Sequence, residues 1–268
     1  MIRNLRIIQL AVAAIAACGM LAGAPASAQG VKIGVLADQS GTFADFDGKW
    51  SVEAAKMAVE DFGGSVLGEK IELIDADHQN KLDLASAIAR RWYDVEGVDM
   101  IADLTLSSVA LAVQGIAAER KKIDIVVASS TSALTGSACT PYGFHWAYDT
   151  HAIAVSTGGA LVKAGGETWF FITVDYAAGH AQERDASEII TSSGGKVVGH
   201  VLFPLNTPDF SSFLLQAQSS KAKIVALATG GQDVINAIKQ AAEFGIVAGG
   251  QRLATLLLTV AEVHGLGL

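Results

Sequence analysis

Several polar side chains of types that can do chemistry follow short apolar runs in this 268-residue sequence. Asp75 and Asp77 end the run "KIELIDAD", and paired carboxylates can act as general acid and base. Ordinary strand-end polarity is the simpler interpretation, with helix capping or cation anchoring as the alternative. Cys139 and His145 could form a nucleophile–base pair. An isolated loop cysteine beside an unrelated histidine is the simpler interpretation.

Metal and cofactor signatures are absent from the sequence. Of the six histidines, only His145 and His151 lie near each other, six residues apart across a predicted loop. The sequence contains no dinucleotide or phosphate-binding glycine motif, no G-x-S-x-G elbow and no H-E-x-x-H motif. We therefore expect no metal, no cofactor and no catalytic residue, and we predict that the protein is not an enzyme.

Other residues suit binding better than catalysis. Ser107 and Ser108 open a predicted helix, where Ser107 can be the N-cap and where the same free amides can bind a ligand carboxylate. Both interpretations stay open. Phe43 and Phe46 lie in a glycine-containing loop rather than on a helical stripe, whereas Trp50 is expected to be the first packing residue of its helix.

The stretch "WFFITVDYAAGH" is a buried-strand pattern that ends in Asp175 and Tyr176. Tyr176 has an apolar ring and a hydroxyl, which suits a residue that closes over a small molecule. The alternative is that Asp175 caps the following helix while Tyr176 packs on its own lobe.

The elements that position these residues alternate between strand and helix. The apolar runs "VKIGVLA", "KIELIDAD", "VDMIADL" and "IDIVVAS" are separated by amphipathic helical patterns, and the alternation restarts after an irregular passage over 129–150. This order predicts an α/β fold of two doubly wound parallel-sheet lobes, over 29–149 and 150–268, with the boundary near Asp149–His151. Ligands of such sheets bind beyond the carboxyl ends of the strands.

Residues 1–28 have the pattern of a secretory signal peptide, with a basic start, an uncharged core and a cleavage site after Ala28. Lipidation at Cys18 is the alternative. Cleavage would leave 17 basic and 27 acidic residues, a net charge of −10, which makes nucleic acid and anionic membranes poor partners. Cys139 would then be the single cysteine, so no internal disulfide is expected.

The sequence resembles the type I periplasmic substrate-binding proteins, and within them the branched-chain amino acid class of ABC importers. The resemblance rests on "KIGVLADQSGTFADFDGK", "SVEAAKMAVEDFGG", "SSVALAV", "TWFFITVDYAAGHAQERDA", "NTPDFSSFLLQAQ" and "INAIKQAAEFGI", in that order. It implies two hinged lobes that close over one small ligand without chemistry. By position it implies ligand contacts at Phe46, at Ser107 or Ser108, at Ser130 with Thr131, and in the loop of Gln232. Together with Tyr176, these are the seven predicted contact residues.

The sequence departs from the family pattern in two places. Where the family usually has an aromatic residue in the second-lobe loop, this sequence has Ala178, which could admit a longer or aromatic acid. No acidic group for a ligand ammonium can be assigned. Family members also continue further at the carboxyl end, so the chain is interpreted as C-terminally truncated, with part of the first lobe's covering layer missing and apolar surface exposed.

From these observations we predict a monomeric periplasmic receptor that binds a small amino acid or an organic acid, aromatic acids included. It would deliver this ligand to an ABC permease and ATPase complex in the inner membrane. A ligand-sensing receptor of the same fold is the alternative, and an exported α/β hydrolase is a weaker one because the sequence shows no activated nucleophile.

Overall fold

The computed structural model describes residues 30–268, so the predicted signal peptide and Cys18 lie outside the described residues. The chain forms two parallel sheets with helices packed on them. The elements of the first part are β1 (Lys32–Ala37), α1 (Gly48–Asp61), β2 (Ser65–Val66), β3 (Glu69–Lys70), β4 (Glu72–Asp77), α2 (Leu82–Asp94), β5 (Met100–Asp103), α3 (Ser107–Arg120), β6 (Ile123–Val126), a 3₁₀ turn (Ser132–Leu134) and β7 (Gly143–His145).

The remaining elements build the second sheet and its helices. They are α4 (Thr150–Lys163), β8 (Thr168–Val174), α5 (Ala177–Ser192), β9 (Lys196–Phe203), α6 (Ser211–Ser220), β10 (Ile224–Ala228), α7 (Gly231–Glu243), β11 (Arg252–Thr255) and α8 (Val260–Gly265). We call the part built on the first sheet the N-terminal lobe and the part built on the second sheet the second lobe. Among residues 30–268, no helix is both long and apolar enough to cross a membrane.

Both sheets are doubly wound, as the alternating pattern predicts. The strand order is β4-β1-β5-β6-β7 in the first sheet and β11-β10-β8-β9 in the second, and all these neighbours pair in parallel. In each sheet the chain leaves its first strand to one side and later returns on the other side. The order therefore reverses between β1 and β5 and between β8 and β10, and the crevice outside such a point is where ligands bind in these folds.

The apolar side chains divide into cores on the faces of the two sheets. Trp92 of α2 lies against the first sheet where Gly34 leaves room, since a Cβ on Gly34 would lie 2.5 Å from the Trp92 ring. The second sheet is covered on both faces. Phe170 and Ile172 of β8 face one core, and Trp169 and Phe171 face the other, as the alternation along a strand requires.

The first sheet is less completely covered within the described chain. Phe144 is 50% exposed and Trp146 is 80% exposed, at the β7 edge. The helical spacing of Val52, Ala55, Val59 and Phe62 predicts one apolar face for α1, but only Val52 of the four is buried and Phe62 is 66% exposed. Trp50, expected to pack, is 60% exposed and lies beside the Lys49 ammonium. Exposed apolar surface on this lobe is what the resemblance implies.

Two predicted segments differ from the structure. The passage 129–150 is not wholly irregular, because it contains β7, whose three residues are too few to show a period of two. The stretch "AQERDASEIITSS" predicts a helix from Ala181, but α5 begins at Ala177 and so includes Gly179. Glycine weakens a helix, but here it is required by packing, because a Cβ on Gly179 would lie 2.1 Å from the carbonyl oxygen of Val174.

One buried carboxyl group gives the fold a pH dependence. Asp124 of β6 is 0% exposed, and neither side-chain oxygen has a hydrogen-bond partner among residues 30–268. Burial raises the pKa of the Asp124 carboxyl from 3.8 to about 7. The folded chain therefore holds this proton more tightly than the unfolded chain, and the free energy of unfolding falls as the pH rises from about 4 to about 7.

We expect Asp124→Asn to remove that loss, which is at most about 4 kcal/mol for a shift of this size. Urea unfolding at pH 5 and pH 8 measures it: the wild type should lose more stability between the two pH values than the Asn variant does. Glu188→Gln, at an exposed site on α5, is the control and should follow the wild type. Parallel pH profiles of the wild type and Asp124→Asn would contradict the prediction.

Candidate ligand-binding site

The crevices of the two sheets face each other and form one cleft. The two lobes are nearly closed on it, because its cavity is only about 20 Å³, room for about one water molecule. Hydroxyl, amide and carboxylate groups are interspersed with aromatic and aliphatic side chains in its wall. The lining residues are Phe43, Phe46, Thr105, Ser107, Ala128, Ser130, Tyr176, Ala178, Gln182, Gly230, Gly231, Leu257 and Glu262.

The loop after β1 brings two aromatic rings to the cleft, and a buried carboxylate holds this loop. Asp38 is 0% exposed and accepts hydrogen bonds from the backbone N–H groups of Gly41 at 2.8 Å and Phe43 at 2.9 Å. The side chain of Asn80 donates to the same carboxylate at 2.5 Å. Because the loop folds around Asp38, Phe43 is buried and Phe46 half-buried at the cleft wall.

The loop after β5 lies next to it and is locally strained. Asp103 and Leu104 have φ values of 85° and 64°, a region that residues other than glycine rarely adopt. The hydroxyl of Ser129 donates to the Leu104 carbonyl and thereby helps to hold this conformation. Thr105 follows, and its hydroxyl donates to Asp47 while it accepts the N–H of Asp38 at 3.3 Å. With these two φ values the chain turns sharply after β5 and enters α3 at Ser107.

A pair of buried acids lies behind Thr105. Burial raises the pKa of Asp103 well above its ordinary value, and the nearby charge of Asp47 raises it further. Burial also raises the pKa of Asp47. A carboxyl pair of this kind favours a protonated member, so these acids add less negative charge to the cleft than their number suggests.

Ser107 is the first residue of α3 and lies in the cleft wall. It is 1% exposed, and its hydroxyl has no hydrogen-bond partner among residues 30–268. The N-cap residue is Leu106, whose apolar side chain cannot accept a hydrogen bond from the first amides of the helix. The serine therefore does not cap the helix, contrary to one of the two open interpretations. The free amides of a helix start and an unpaired hydroxyl together suit an anion.

The segment after β6 supplies the neighbouring wall. Ser130 is 4% exposed, and its carbonyl accepts the N–H of Thr150 at 2.8 Å, which fixes the segment against the start of α4. Thr131 is turned away from the cleft and caps the 3₁₀ turn, accepting from Ala133 at 3.4 Å. His145 donates from Nε2 to the Ser129 carbonyl at 2.7 Å, because a carbonyl can only accept.

The second lobe contributes the start of α5. Tyr176 is the N-cap residue by position, has no side-chain cap bond, and packs against the cores of both lobes. Burial raises the pKa of its phenol well above the ordinary value, with further contributions from Asp233 and Tyr148. Asp175 does not cap the helix, because its carboxylate pairs with His180 at 2.9 Å.

A backbone contact joins the two lobes at the cleft. The N–H of Gln232 donates to the carbonyl oxygen of Thr42 at 3.2 Å. Gly231, with φ 63°, lets the chains approach this closely, since a Cβ there would lie 2.7 Å from the same oxygen and 2.9 Å from the ring of Phe43. Glu262 fixes this loop by accepting the N–H of Gly231 at 2.9 Å.

The structure brings four of the seven predicted contact residues together in the cleft: Phe46, Ser107, Ser130 and Tyr176. Ser108 is half-buried outside it, Thr131 is a cap, and the exposed side chain of Gln232 donates to Asn236 at 3.0 Å. A ligand contact for any of the seven stays a prediction.

The cleft also contains residues that sequence reasoning did not single out. Thr105 directly follows the predicted strand "VDMIADL", and no sequence pattern pointed to Gln182 or Glu262. Recognition of α5 from Ala177 onward would have placed Gln182 on the same helix face as Ala178, four residues earlier.

The residues considered for catalysis are used structurally. Asp77 accepts the N–H of Gln39 at 3.0 Å and the hydroxyl of Ser40 at 2.5 Å, and Asp75 accepts the Gln39 amide at 2.9 Å. Cys139 is free and exposed, and the Nε2 of His145 is bonded elsewhere. No group of three or more potential metal ligands occurs among residues 30–268.

The sequence matches the model of the family described as periplasmic binding protein over residues 30–268. The chain belongs to this family. A periplasmic binding protein from Burkholderia mallei has a similar crystal structure, with a TM-score of 0.88 and 52% identity, over 90% of this chain and 64% of that one. The Leu/Ile/Val-binding protein homolog 6 of Brucella melitensis is 25% identical over 87% of this chain and 60% of its own length.

A solute-binding protein of an ABC transporter from R. palustris, solved in complex with benzoate, is a further similar structure. Its TM-score is 0.77 at 26% identity, over 85% of this chain and 62% of that one. The two-lobe α/β fold is thus the type I periplasmic binding protein fold that the resemblance implied. The chain spans less than two thirds of the length of each of these relatives.

The Thr42–Gly231 contact makes a testable prediction about the two lobes. We expect Gly231→Ala to push them apart, because the added methyl would meet backbone and a buried ring. Small-angle scattering should show a larger radius of gyration than in the wild type. Gly64→Ala is the matched control: its φ is 69°, but a Cβ there meets nothing within 4 Å. An unchanged radius for Gly231→Ala, or an equal change for both variants, would contradict the assignment.

Proposed function

We propose that this protein is a periplasmic solute receptor of an ABC importer, which binds a small carboxylic acid between its two lobes. The observation that carries the proposal is the start of α3. There the unpaired, buried hydroxyl of Ser107 and the uncapped amides of the helix lie in the wall of the cleft. A ligand carboxylate supplies the acceptors that these groups need.

The cleft geometry supports binding by closure. Thr42 and Gly231, from loops of opposite lobes, are in contact across it, and Tyr176 packs against both cores. A ligand held between the lobes makes contacts with both of them only in the closed state, so binding shifts the population toward that state. The closed form is then the form that docks on a permease and its ATPase.

The cleft wall favours an organic acid with an apolar body. Phe43, Phe46 and Leu257 supply aromatic and aliphatic surface, and Ala178 adds a small apolar side chain to the same wall. The bound benzoate of the R. palustris protein shows that a relative of this fold takes an aromatic acid. The Leu/Ile/Val-binding protein homolog keeps branched amino acids among the ligands to be tested.

Glu262 is the acidic residue that a ligand ammonium would meet, but it is already engaged. Its two carboxylate oxygens accept N–H groups of Gly231 at 2.9 Å and Thr259 at 2.7 Å, and the Thr259 hydroxyl donates to it as well. Glu262 is 3% exposed and completes the capping box of α8, in which Thr259 is the N-cap residue. This arrangement is one reason to include acids without an amine in the panel.

The proposal predicts that carboxylic acids stabilise the folded chain through Ser107. Urea unfolding followed by tryptophan fluorescence, with and without benzoate, 4-hydroxybenzoate, leucine and 4-methylpentanoate, should show a shift of the midpoint with at least one acid. Ser107→Ala should weaken the binding of that acid about 10-fold or more, because a hydrogen bond to a charged group is lost.

Ser108→Ala is the matched control, because the neighbouring hydroxyl lies outside the cleft, and it should leave the affinity within about 2-fold. If Ser108→Ala weakens binding and Ser107→Ala does not, the assignment of the carboxylate site is wrong. If no acid shifts the unfolding of the wild type, the proposed function fails for this chain.

A further inference from the structure

A second buried polar group lies in the cleft wall without a hydrogen-bond partner. Gln182 of α5 is 2% exposed, and its side-chain oxygen pairs with no group among residues 30–268. A buried amide oxygen without a donor is costly, and native proteins rarely tolerate one without a reason. Because Gln182 lies in the cleft wall, a bound ligand is the partner that can reach it.

The position of Gln182 on α5 supports this interpretation. Ala178 lies one helical turn before it on the same face and also lines the cleft, so the two side chains belong to one wall of the cleft. Asp185 lies three residues after it and accepts hydrogen bonds from Ser132 at 2.9 Å and Thr150 at 2.5 Å. This face of α5 is therefore fixed against the N-terminal lobe, and the side chain of Gln182 is held at the cleft.

Gln182 and Ser107 lie on opposite lobes. Helices α3 and α5 contact each other across the cleft. Ser107 can donate a hydrogen bond to a carboxylate, whereas the unpaired oxygen of Gln182 can only accept one. The hydroxyl of Ser107 would therefore pair with an acceptor on the ligand, and the oxygen of Gln182 with a donor on the same ligand.

We propose that Gln182 is a ligand-binding residue that selects acids carrying a hydrogen-bond donor, a hydroxyl or an amine, in addition to the carboxylate. The proposal rests on the proposed function, since it assumes an acid in this cleft. The ligand then joins Ser107 of the N-terminal lobe to Gln182 of the second lobe.

Two pairs of acids test this, because the members of each pair differ by one donor group. They are 4-hydroxybenzoate against benzoate, and leucine against 4-methylpentanoate. By isothermal titration, the wild type should bind the donor-bearing member of a pair at least about 10-fold more tightly, as expected for a site that pairs a buried polar group. Gln182→Met keeps the length and removes the acceptor, and should reduce this preference to about 2-fold or less.

Gln182→Glu distinguishes the role of the oxygen. It keeps an acceptor at the same place, so the preference for the donor-bearing acid should persist. Ser107→Ala is the comparison variant and should weaken both members of the pair equally. Unfolding of each variant without ligand checks that the fold is retained.

The outcomes separate this proposal from the one it rests on. If the wild-type protein binds none of the acids, the proposed function itself is wrong. Wild type that binds acids while Gln182→Met keeps the full preference, or loses both members of a pair equally, overturns the role of Gln182 and leaves the receptor function standing.

Discussion

The buried carboxylate of Asp38 is the interaction on which the cleft depends. It satisfies the N–H groups of Gly41 and Phe43 and the amide of Asn80 at the point where β1 ends. These bonds hold the loop in its turn back over the sheet edge. That turn places Phe43 and the carbonyl of Thr42 where the second lobe contacts them. One carboxylate thus organises both an apolar wall of the site and the contact surface for Gly231.

The sheet topology explains why the other parts of the site converge. The order of strands reverses between β1 and β5 in one sheet and between β8 and β10 in the other. The loops at these two points must diverge, and the crevices that result face each other. Thr105 and Ser107 come from the first crevice, and Tyr176 and Gly230 from the second. Residues more than a hundred positions apart in sequence therefore share one wall of the cleft.

The sequence predicted the alternation of strands and helices and the loops that form the cleft, because these depend on local hydrophobic periods and on the rule for parallel sheets. Tyr176 and Ser107 were found in this way. Gln182 was missed because Gly179 is a weak helix former and the sequence therefore did not show the first turn of α5, which places Gln182 on the same face as Ala178. The glycine is there because the turn packs closely against Val174, which is a tertiary effect. The exposure of Trp50 was missed for a similar reason: helical periodicity says which residues share a face and not whether another element covers it.

In the proposed receptor, the unpaired polar atoms would make closure of the lobes depend on ligand. When the lobes touch without a ligand, the hydroxyl of Ser107 and the amide oxygen of Gln182 are buried and unsatisfied. Each such group costs about 1–3 kcal/mol, so the empty closed state is disfavoured relative to an open state in which water reaches both. A ligand that pairs with both removes this penalty only when the lobes are together. The differential contact that a population shift requires is therefore already present in the two side chains.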